Sequence, residues 1–330
     1  MASIKEVAES AGVSTATVSR VLSNKPYVRP ELRDRVMRAV EELGYRPNLV
    51  ARSLRSQRTV SIGLIVSDIR NPYFTSVSRA VEDTAYEKGY NVIFCNTDEN
   101  PEKEALYLQL MRDQNVAGVI FSPTRQASAD LDAFDIDFPT VVVDRSINPC
   151  NIPVDVIRID NVDAAYRLTR HLIGNGYRRI AGLFGEASTT GRERRVGYEK
   201  ALRESGFVPL AKYVPPRIEA GSETARALLE SEDPPDAFLT TNSLLMAGAL
   251  IAIRDLGLRI PEQVGLVGFD KTTWSTLVQP SITLIDQPTY QIGRTATELL
   301  LERIQDPDCP PREVILAGEL VLGGSSAPRA

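Results

Sequence analysis

The residues best suited to chemistry are polar and aromatic side chains that come directly after apolar, strand-like segments. Carboxylates, amides and arginines can hydrogen-bond paired hydroxyl groups, and aromatic rings can cover the apolar face of a sugar. Converging side chains of these types would form a binding site for a small ligand. The candidates are Asn71, Tyr73, Phe74, Asp144, Arg145, Arg192, Arg194, Asn242, Asp270 and Trp274, with Asp68 just before the first of them.

Several of these candidates have a plainer alternative. Asp270 could be a loop cap, Arg192 a surface charge, and Tyr73 and Phe74 ordinary core aromatics. The three arginines at 145, 192 and 194 suggest an anionic ligand, such as a sugar acid or a sugar phosphate, although arginine also binds neutral hydroxyls. The sequence leaves the charge of the ligand open.

A second group of candidate residues lies near the N-terminus. They belong to a short predicted helix whose N-terminus Ser14 could cap. The apolar residues of this helix face inward together, so Ala16 and Arg20, four apart, lie on the opposite face. Thr15 sits in the exposed first turn. Arginine can donate two hydrogen bonds to guanine O6 and N7, worth about 1–3 kcal/mol of discrimination between bases.

The elements around this helix predict a helix-turn-helix. Apolar residues at 4, 7, 8 and 11 form one apolar face of a first helix, which is expected to end at Gly12. A third helix is expected from Pro30 to Gly44, and its apolar residues, Leu43 among them, should pack against the first two. The second helix of such a motif is shaped to enter the major groove of DNA.

Residues 47–58 join this N-terminal segment to the rest of the chain. Two helical turns are marginal alone, so the segment should be ordered only under some conditions. Arg52, Arg55 and Arg58 supply positive charge, Ala51 is small, and Leu54 has no periodic core partner nearby. The combination suits a wedge for the DNA minor groove; the alternative is a solvated linker.

Charge is divided unevenly along the chain. Residues 1–58 contain eleven Lys or Arg against six Asp or Glu, whereas the other 272 residues contain 27 against 37. A basic head of net charge +5 on a body of net charge −10 suggests that only the head meets a polyanion. At 330 residues the chain should form two or three domains.

From Val60 onward, apolar strands alternate with helices, which predicts parallel sheets covered on both faces. A first series of strands is expected at 60–66, 91–96, 118–122 and 140–143, with helices near 74–88 and 102–113. A second series should begin near Val156, with helices at 162–174, 190–205 and 244–256 and strands at 179–184, 237–241 and 264–269. Two such series predict two similar lobes, whose ligand binds beyond the carboxyl ends of the strands.

Other patterns indicate no catalysis. The phosphate-loop, zinc-ligand and nucleophile-elbow patterns are absent from the sequence, so we expect no cofactor, no metal and no enzyme activity. His171, the one histidine, lies on a predicted helix and is expected to be structural. Cys95, Cys150 and Cys309 are expected to be reduced thiols, and no apolar run approaches a membrane span, so the chain is expected to stay in the cytoplasm.

Residues 4–22, IKEVAESAGVSTATVSRVL, closely resemble the headpiece signature of the lac-repressor (LacI/GalR) family. The likeness continues through ELGYRPN at 42–48 and ARSL at 51–54, and the remaining domains follow the family pattern almost to the C-terminus. Ser23 departs from the asparagine common in the family, and Ser243 from an aspartate.

The resemblance implies roles for particular residues. Thr15, Ala16 and Arg20 would read bases, while Ser14, Thr17, Ser19 and Tyr45 would contact phosphates. Ala51, Leu54 and Arg55 would form the minor-groove hinge. The effector residues it supports most firmly are Asp144, Arg194, Asn242 and Asp270.

The resemblance also implies an α/β fold. An all-α helix-turn-helix headpiece (1–46) and a hinge (47–58) would precede a two-lobed, doubly wound domain similar to periplasmic sugar-binding proteins (59–330). Its N-lobe would span about 59–158 and 287–313, and its C-lobe about 159–286 and 314–326. A helix at 290–303 would return to the first lobe, and a final strand at 319–322 would belong to the second.

The resemblance therefore predicts a bacterial transcription regulator that is expected to act as a repressor. It should act as a homodimer on a pseudo-palindromic double-stranded operator, with a sugar or sugar derivative as effector. The end of the chain, 323–330, has no heptad repeat, so a dimer is expected rather than a tetramer. The alternatives are a sugar-binding protein without functional DNA binding, and a regulator that also uses a phosphocarrier protein partner. The sequence does not say whether the effector relieves or promotes DNA binding.

Overall fold

The computed structural model describes residues 2–22, 27–45, 59–186 and 188–328. They form two compact units, Met1–Thr59 and Val60–Ala330. The expected hinge residues Ala51, Leu54 and Arg55 lie outside the described residues.

The first unit contains the three expected helices, α1 (Ile4–Ser10), α2 (Thr15–Leu22) and α3 (Pro30–Glu42). Their inward-facing residues share one small core of valines and alanines. The expectation for Leu43 was wrong. Because α3 ends at Glu42, Leu43 is the C-cap of the helix and is 40% exposed.

The turn between α1 and α2 is held by a side chain from α3. Gly12 has a φ of +60°, in the left-handed region that favours glycine. The Arg35 guanidinium donates hydrogen bonds to the carbonyls of Ala11 (2.6 Å) and Gly12 (3.3 Å). These carbonyls follow the end of α1, where carbonyl groups lack helical partners. Arg35 thus fixes the angle between the first two helices.

In the second unit, strands and helices alternate. In chain order the strands are β1 Ser61–Val66, β2 Asn91–Asn96, β3 Val119–Phe121, β4 Thr140–Val143, β5 Val154–Ile159, β6 Ile180–Gly185, β7 Leu210–Val214, β8 Ala237–Thr240, β9 Gly265–Phe269, β10 Thr283–Asp286, β11 Glu313–Leu316 and β12 Glu319–Val321. The helices are α4 Pro72–Glu87, α5 Pro101–Asp113, α6 Arg125–Ala129, α7 Asn161–Gly174, α8 Thr189–Glu204, α9 Ile218–Leu229, α10 Ser243–Asp255, α11 Thr273–Leu277 and α12 Thr289–Gln305. Short 3-10 turns lie at Leu131–Ala133 and Gly324–Ser326.

These strands form two six-stranded sheets, one in each lobe. The first has the order β11-β5-β4-β3-β1-β2 and is parallel throughout. The second has the order β12-β10-β9-β8-β6-β7, and only β12 runs antiparallel to its neighbour. The central strands are buried along their whole length, which explains their nearly continuous apolar sequences. The expected two-lobed, doubly wound α/β fold is confirmed.

The expected start of the second strand series and one expected boundary between the lobes were wrong. The strand near Val156 does not begin the second series, because β5 pairs with β4 and β11 in the first sheet. The return to the second lobe expected after residue 313 falls inside β11, which pairs with β5 along its whole length. The strand β7 and the helix α9 were not predicted at all. The assignments of α12 to the first lobe and of β12 to the second agree with their packing.

A buried ion network ties α12 to the first sheet. The carboxylate of Asp155 on β5, which is fully buried, accepts hydrogen bonds from Arg303 Nε (3.0 Å) and Nη2 (2.9 Å). It also accepts one from the backbone N–H of Arg312 (2.8 Å). Three segments that are distant in sequence therefore share one carboxylate.

His171 packs against the C-terminal turn of the second lobe. Its Nε2 lies 2.8 Å from the Ser326 hydroxyl and 3.2 Å from Nδ2 of Asn175. Burial lowers the pKa of His171 below its ordinary value. The unfolded chain therefore takes up a proton at a higher pH than the folded chain, so this side chain favours the folded state above the unfolded pKa.

We expect the unfolding free energy of the protein to fall as the pH drops from 7 toward 5, in part because of His171. The variant His171→Gln should lack this part of the pH dependence, since glutamine does not titrate. Urea unfolding at several pH values, followed by circular dichroism, measures the difference. If the unfolding free energy of the wild type rose relative to that of His171→Gln on acidification, the prediction would be contradicted.

Candidate functional site

A cavity lies between the two lobes of the second unit, at the carboxyl ends of both sheets. It encloses about 590 Å³, including its opening to solvent. Its walls come from loops that follow β1, β2 and β4 in one lobe and β6, β8, β9 and β10 in the other. This is the place where open α/β sheets bind their ligands. The expected residues that line it are Asn71, Tyr73, Phe74, Asp144, Arg145, Arg194, Asn242 and Asp270, together with Asp68.

Asn71 positions two aromatic rings at the start of α4. Its Oδ1 accepts a hydrogen bond from the backbone N–H of Tyr73 (3.1 Å) and so caps the helix. The rings of Tyr73 and Phe74 meet edge to face, with centroids 5.1 Å apart. Both rings belong to the core, and both also line the cavity.

Arg145 and Glu99 form a buried ion pair in the first-lobe wall. The Arg145 guanidinium donates to both carboxylate oxygens of Glu99, one of them at 3.0 Å, and to the Pro123 carbonyl at 2.6 Å. Its Nε lies 3.5 Å from Oδ2 of Asp144. The Arg145 side chain is 2% exposed. Its charge is therefore compensated by the protein itself.

Arg194, in the second lobe, is also held by protein groups. It donates from Nε to Oδ1 of Asn161 (2.8 Å) and from Nη1 to the Thr241 carbonyl. Its guanidinium carbon lies 4.0 Å from the centroid of the Phe269 ring, a cation–π contact. The arginine stands on α8, whose Gly191 packs directly against β6: a Cβ there would lie 2.1 Å from the Gly185 carbonyl oxygen.

Asn242, Asp270 and Gln287 complete the second-lobe wall. Oδ1 of Asn242 caps α10 by accepting from the Leu245 N–H at 2.8 Å. The Asp270 carboxylate accepts from Nε2 of Gln287 (2.6 Å) and from the Ser243 N–H (3.3 Å). The amide nitrogen of Asn242 and the carbonyl oxygen of Gln287 have no role in these bonds, so they can face a ligand.

The two cavity aspartates have matching backbone geometry. Asp144 and Asp270 each follow a central strand and each have a φ of +73°. The N–H of Asp144 donates to the Ile157 carbonyl on β5, and that of Asp270 donates to the Ile285 carbonyl on β10. Each lobe thus presents one carboxylate to the cavity in the same way.

Burial shifts the titration of these groups. Burial raises the pKa of Asp144 to about 6, while Arg145 and Arg194 oppose the rise. Burial also raises the pKa of Asp270, against the charge of Arg194 and the hydrogen bond from Gln287. The pKa of Tyr73 lies well above its ordinary value, first through burial and then through the charges of both aspartates. The cavity disfavours further negative charge.

Two expected residues lie outside this wall. Arg192 is exposed and does not line the cavity, because it points away from the face of α8 that carries Arg194. Trp274 lies on α11 and packs against the second-lobe core. The three arginines that suggested an anionic ligand are therefore not brought together: one is exposed, and Arg145 is paired with Glu99.

Sequence reasoning missed Glu99, Gln287 and Thr190, which also line the cavity. Glu99 comes after β2 as Asp68 comes after β1, so the rule that found Asp68 could have found it. Gln287 directly follows β10, a strand that the sequence pattern had not separated from its surroundings.

In the first unit, the expected base-reading residues Thr15, Ala16 and Arg20 are all exposed on α2. Ser14 caps α2, since its Oγ accepts from the Thr17 N–H at 3.2 Å. The remaining expected phosphate contacts, Thr17, Ser19 and Tyr45, are partly buried, and Tyr45 packs against the helical core.

Two family models match the chain. Residues 3–48 match the model of bacterial regulatory proteins of the lacI family. Residues 59–318 match the model of periplasmic binding proteins and the sugar-binding domain of the LacI family. No described helix is both long and apolar enough to cross a membrane. Among the described residues, no group of three or more His, Cys, Asp or Glu is arranged to hold a metal ion.

Curated relatives match over almost the full length. The ribose operon repressor of Halalkalibacterium halodurans is 37% identical over 306 residues, which cover 92% of this chain and 91% of the relative. The HTH-type transcriptional repressor PurR of Haemophilus influenzae is 37% identical over 314 residues, covering 93% of each chain. These relatives are named as repressors, not as enzymes.

Solved structures match as well. The lac repressor dimer bound to operator and the anti-inducer ONPF has a TM-score of 0.87 at 27% identity, covering 99% of both chains. The complex of the transcriptional regulator CelR with cellobiose has a TM-score of 0.74 at 28% identity, covering 98% of this chain and 100% of CelR.

Proposed function

Because this chain belongs to the lacI family of bacterial regulatory proteins, and is a DNA-binding transcriptional regulator with an effector domain, we propose that its effector is a neutral sugar. The sugar would bind in the cavity between the lobes and set the affinity of the protein for its operator. The observation that carries this proposal is the pairing of both cavity arginines with protein acceptors.

The remaining polar groups suit hydroxyls better than anions. Asp144 and Asp270 present carboxylates from opposite lobes, and a carboxylate can accept hydrogen bonds from two neighbouring hydroxyls. Asn242 and Gln287 add an amide donor and an amide acceptor. The Tyr73 and Phe74 rings supply an apolar surface for the C–H face of a sugar ring.

The named relatives support the same ligand class. One is a ribose operon repressor, and one similar structure holds cellobiose. The cavity is lined by polar groups from both lobes, so a sugar bound there would bridge them. A ligand that bridges the lobes binds one arrangement of the lobes more tightly than another, and this difference in affinity is the requirement for allosteric control.

Calorimetric titration tests the ligand class. The panel would contain D-ribose, D-arabinose and D-glucose, with D-gluconate as an acidic counterpart. We expect at least one neutral sugar to bind and to change operator affinity in a gel-shift assay. Binding of gluconate in preference to every neutral sugar would contradict the proposal.

For operator recognition, we propose that Thr15, Ala16 and Arg20 contact bases and that Ser14, Thr17, Ser19 and Tyr45 contact phosphates. The exposure of the first three on α2 supports this assignment. Two copies of the chain would bind a pseudo-palindromic site, as the likeness to an operator-bound lac repressor dimer suggests. Light scattering should give the mass of a dimer, and a tetramer would contradict it.

The variant Arg20→Ala should weaken specific operator binding by about 1–3 kcal/mol and relax specificity at one base pair in each half-site. A shortened side chain can no longer donate to guanine. Selection of binding sequences followed by fluorescence anisotropy measures both effects, with Arg38→Ala on the exposed surface of α3 as the control. An unchanged sequence preference in the Arg20 variant would show that Arg20 does not read a base.

A further inference from the structure

Arg145 lines the cavity and carries a positive charge that an anionic ligand could bind if the guanidinium had no protein partner. Its side chain is 2% exposed, and it makes three hydrogen bonds to protein acceptors, two of them to the carboxylate of Glu99. The Glu99 side chain is 17% exposed and itself lines the cavity. Glu99 therefore occupies both terminal nitrogens of the guanidinium, and both residues line the cavity.

We propose that Glu99 determines ligand specificity: by occupying Arg145, it makes the cavity reject anionic sugars such as phosphate esters. The inference rests on the proposed function, because it concerns the choice among ligands at the same site. No sequence pattern singled out this residue.

The charges around the cavity explain the effect. Four carboxylates line it, Asp68, Glu99, Asp144 and Asp270, against the two arginines Arg145 and Arg194. Asp68 also has its own partner, Arg70, at 2.8 Å. A phosphate entering this wall meets surplus negative charge, and both guanidinium groups already donate to protein acceptors. A further negative charge placed against carboxylates that are themselves buried costs free energy, which disfavours an anionic ligand.

Removing the charge of Glu99 would change this balance locally. The Arg145 guanidinium would keep the Pro123 carbonyl and Asp144, 3.5 Å from its Nε, but its two terminal nitrogens would lose their ionic partner. Arginine binds phosphate through paired hydrogen bonds from such nitrogens. Glutamine retains the size of glutamate and one acceptor oxygen, so the wall keeps its shape. We therefore expect the Glu99→Gln variant to bind anionic ligands that the wild type excludes.

The surrounding loop has supports of its own. Asp98 accepts from Lys103 (2.5 Å) and from Asn96 (2.8 Å). Glu104, fully buried, accepts from the N–H and the hydroxyl of Thr124, both at 2.6 Å, next to the Pro123 carbonyl. These contacts do not involve Glu99, so the variant should retain the loop.

The test compares the full-length protein with Glu99→Gln, using Glu102→Gln as the matched control. Glu102 lies three residues away and is exposed. The probes are D-ribose, D-arabinose and D-glucose, each titrated beside its terminal phosphate ester in a calorimeter. The quantity measured is the ratio of the dissociation constants of each ester and its parent sugar, with melting temperature as a check of folding.

We expect the wild type and Glu102→Gln to prefer the neutral sugar at least 100-fold, and Glu99→Gln to reduce that preference at least tenfold. An unchanged preference in a folded Glu99→Gln protein would overturn the inference while leaving the proposed function intact. If that variant does not fold, Glu99→Ala removes the same charge and the same two outcomes apply. A wild type that binds none of the neutral sugars would contradict the proposed function, and the inference would fall with it.

Discussion

Asp155→Asn is expected to lower the free energy of unfolding by about 3–5 kcal/mol, the usual cost of removing one partner from a buried ion pair. Asp155 is fully buried and Arg303 is 1% exposed, so the arginine charge would be left without compensation in the core. The same carboxylate holds Arg312 at the start of β11. Equilibrium urea unfolding followed by circular dichroism measures the change.

The matched control is Glu313→Gln. Glu313 pairs with Arg158 at 2.7 Å, but its side chain is 52% exposed, and exposed pairs contribute about 0–1 kcal/mol. The two variants remove one carboxylate each from the same pair of strands. Equal losses of unfolding free energy in Asp155→Asn and Glu313→Gln would show that burial does not increase the contribution of the Asp155 ion pair.

Asp155 should also contribute to acid sensitivity. Burial alone would raise the pKa of Asp155, but the hydrogen bonds from Arg303 and Arg312 outweigh it and hold the pKa below its ordinary value. A depressed folded pKa stabilises the protein above the unfolded pKa, about 3.9, and that stability is lost as the pH falls through the folded pKa. The difference between the wild type and Asp155→Asn should shrink in that range.

Arg194→Lys is expected to weaken binding of the neutral effector at least 100-fold. The arginine is fixed by Asn161, by the Thr241 carbonyl and by the face of the Phe269 ring. Lysine lacks the planar guanidinium that fits this combination, so the exchange is not conservative. A loss of about 2–5 kcal/mol is typical when one partner of a buried, charged hydrogen-bond network is removed.

Arg192→Lys provides the control for that measurement. Arg192 lies on the same helix two residues earlier but is exposed and outside the cavity wall. Its substitution should leave the calorimetric dissociation constant unchanged. A comparable loss in both variants would mean that Arg192 reaches the ligand after all, as the sequence had suggested.

Much of the fold could be predicted because local signals and burial agree. β4 and β2 were predicted at their observed bounds, since continuous apolar or β-branched residues lie between clear turns. β11 was missed because it lies at the sheet edge, where only alternate residues are partly buried and the pattern is weak. Its partner β5 was counted with the second strand series, because strand pairing is a contact between distant parts of the chain.

The candidate site shows the same limit. Residues directly after predicted strands, such as Asp144 and Asp270, could be found from position alone. The sequence could not reveal which charges would be paired. Arg145 and Glu99 are 46 residues apart, and their contact pairs one of the arginines that had suggested an anionic ligand. Helical spacing likewise places Arg192 and Arg194 on different faces, but only the packing of α8 decides which face meets the cavity.

The left-handed backbone at Asp144 and Asp270 has a consequence for how the chain can change. At both positions an L-residue holds a conformation that glycine adopts more easily, and a carboxylate is buried besides. Each lobe is therefore less stable at its ligand-binding edge than it could be, a trade-off between stability and activity. A lineage that no longer needed the effector would be free to drift toward glycine at both sites, so the two aspartates would mark which descendants still sense it.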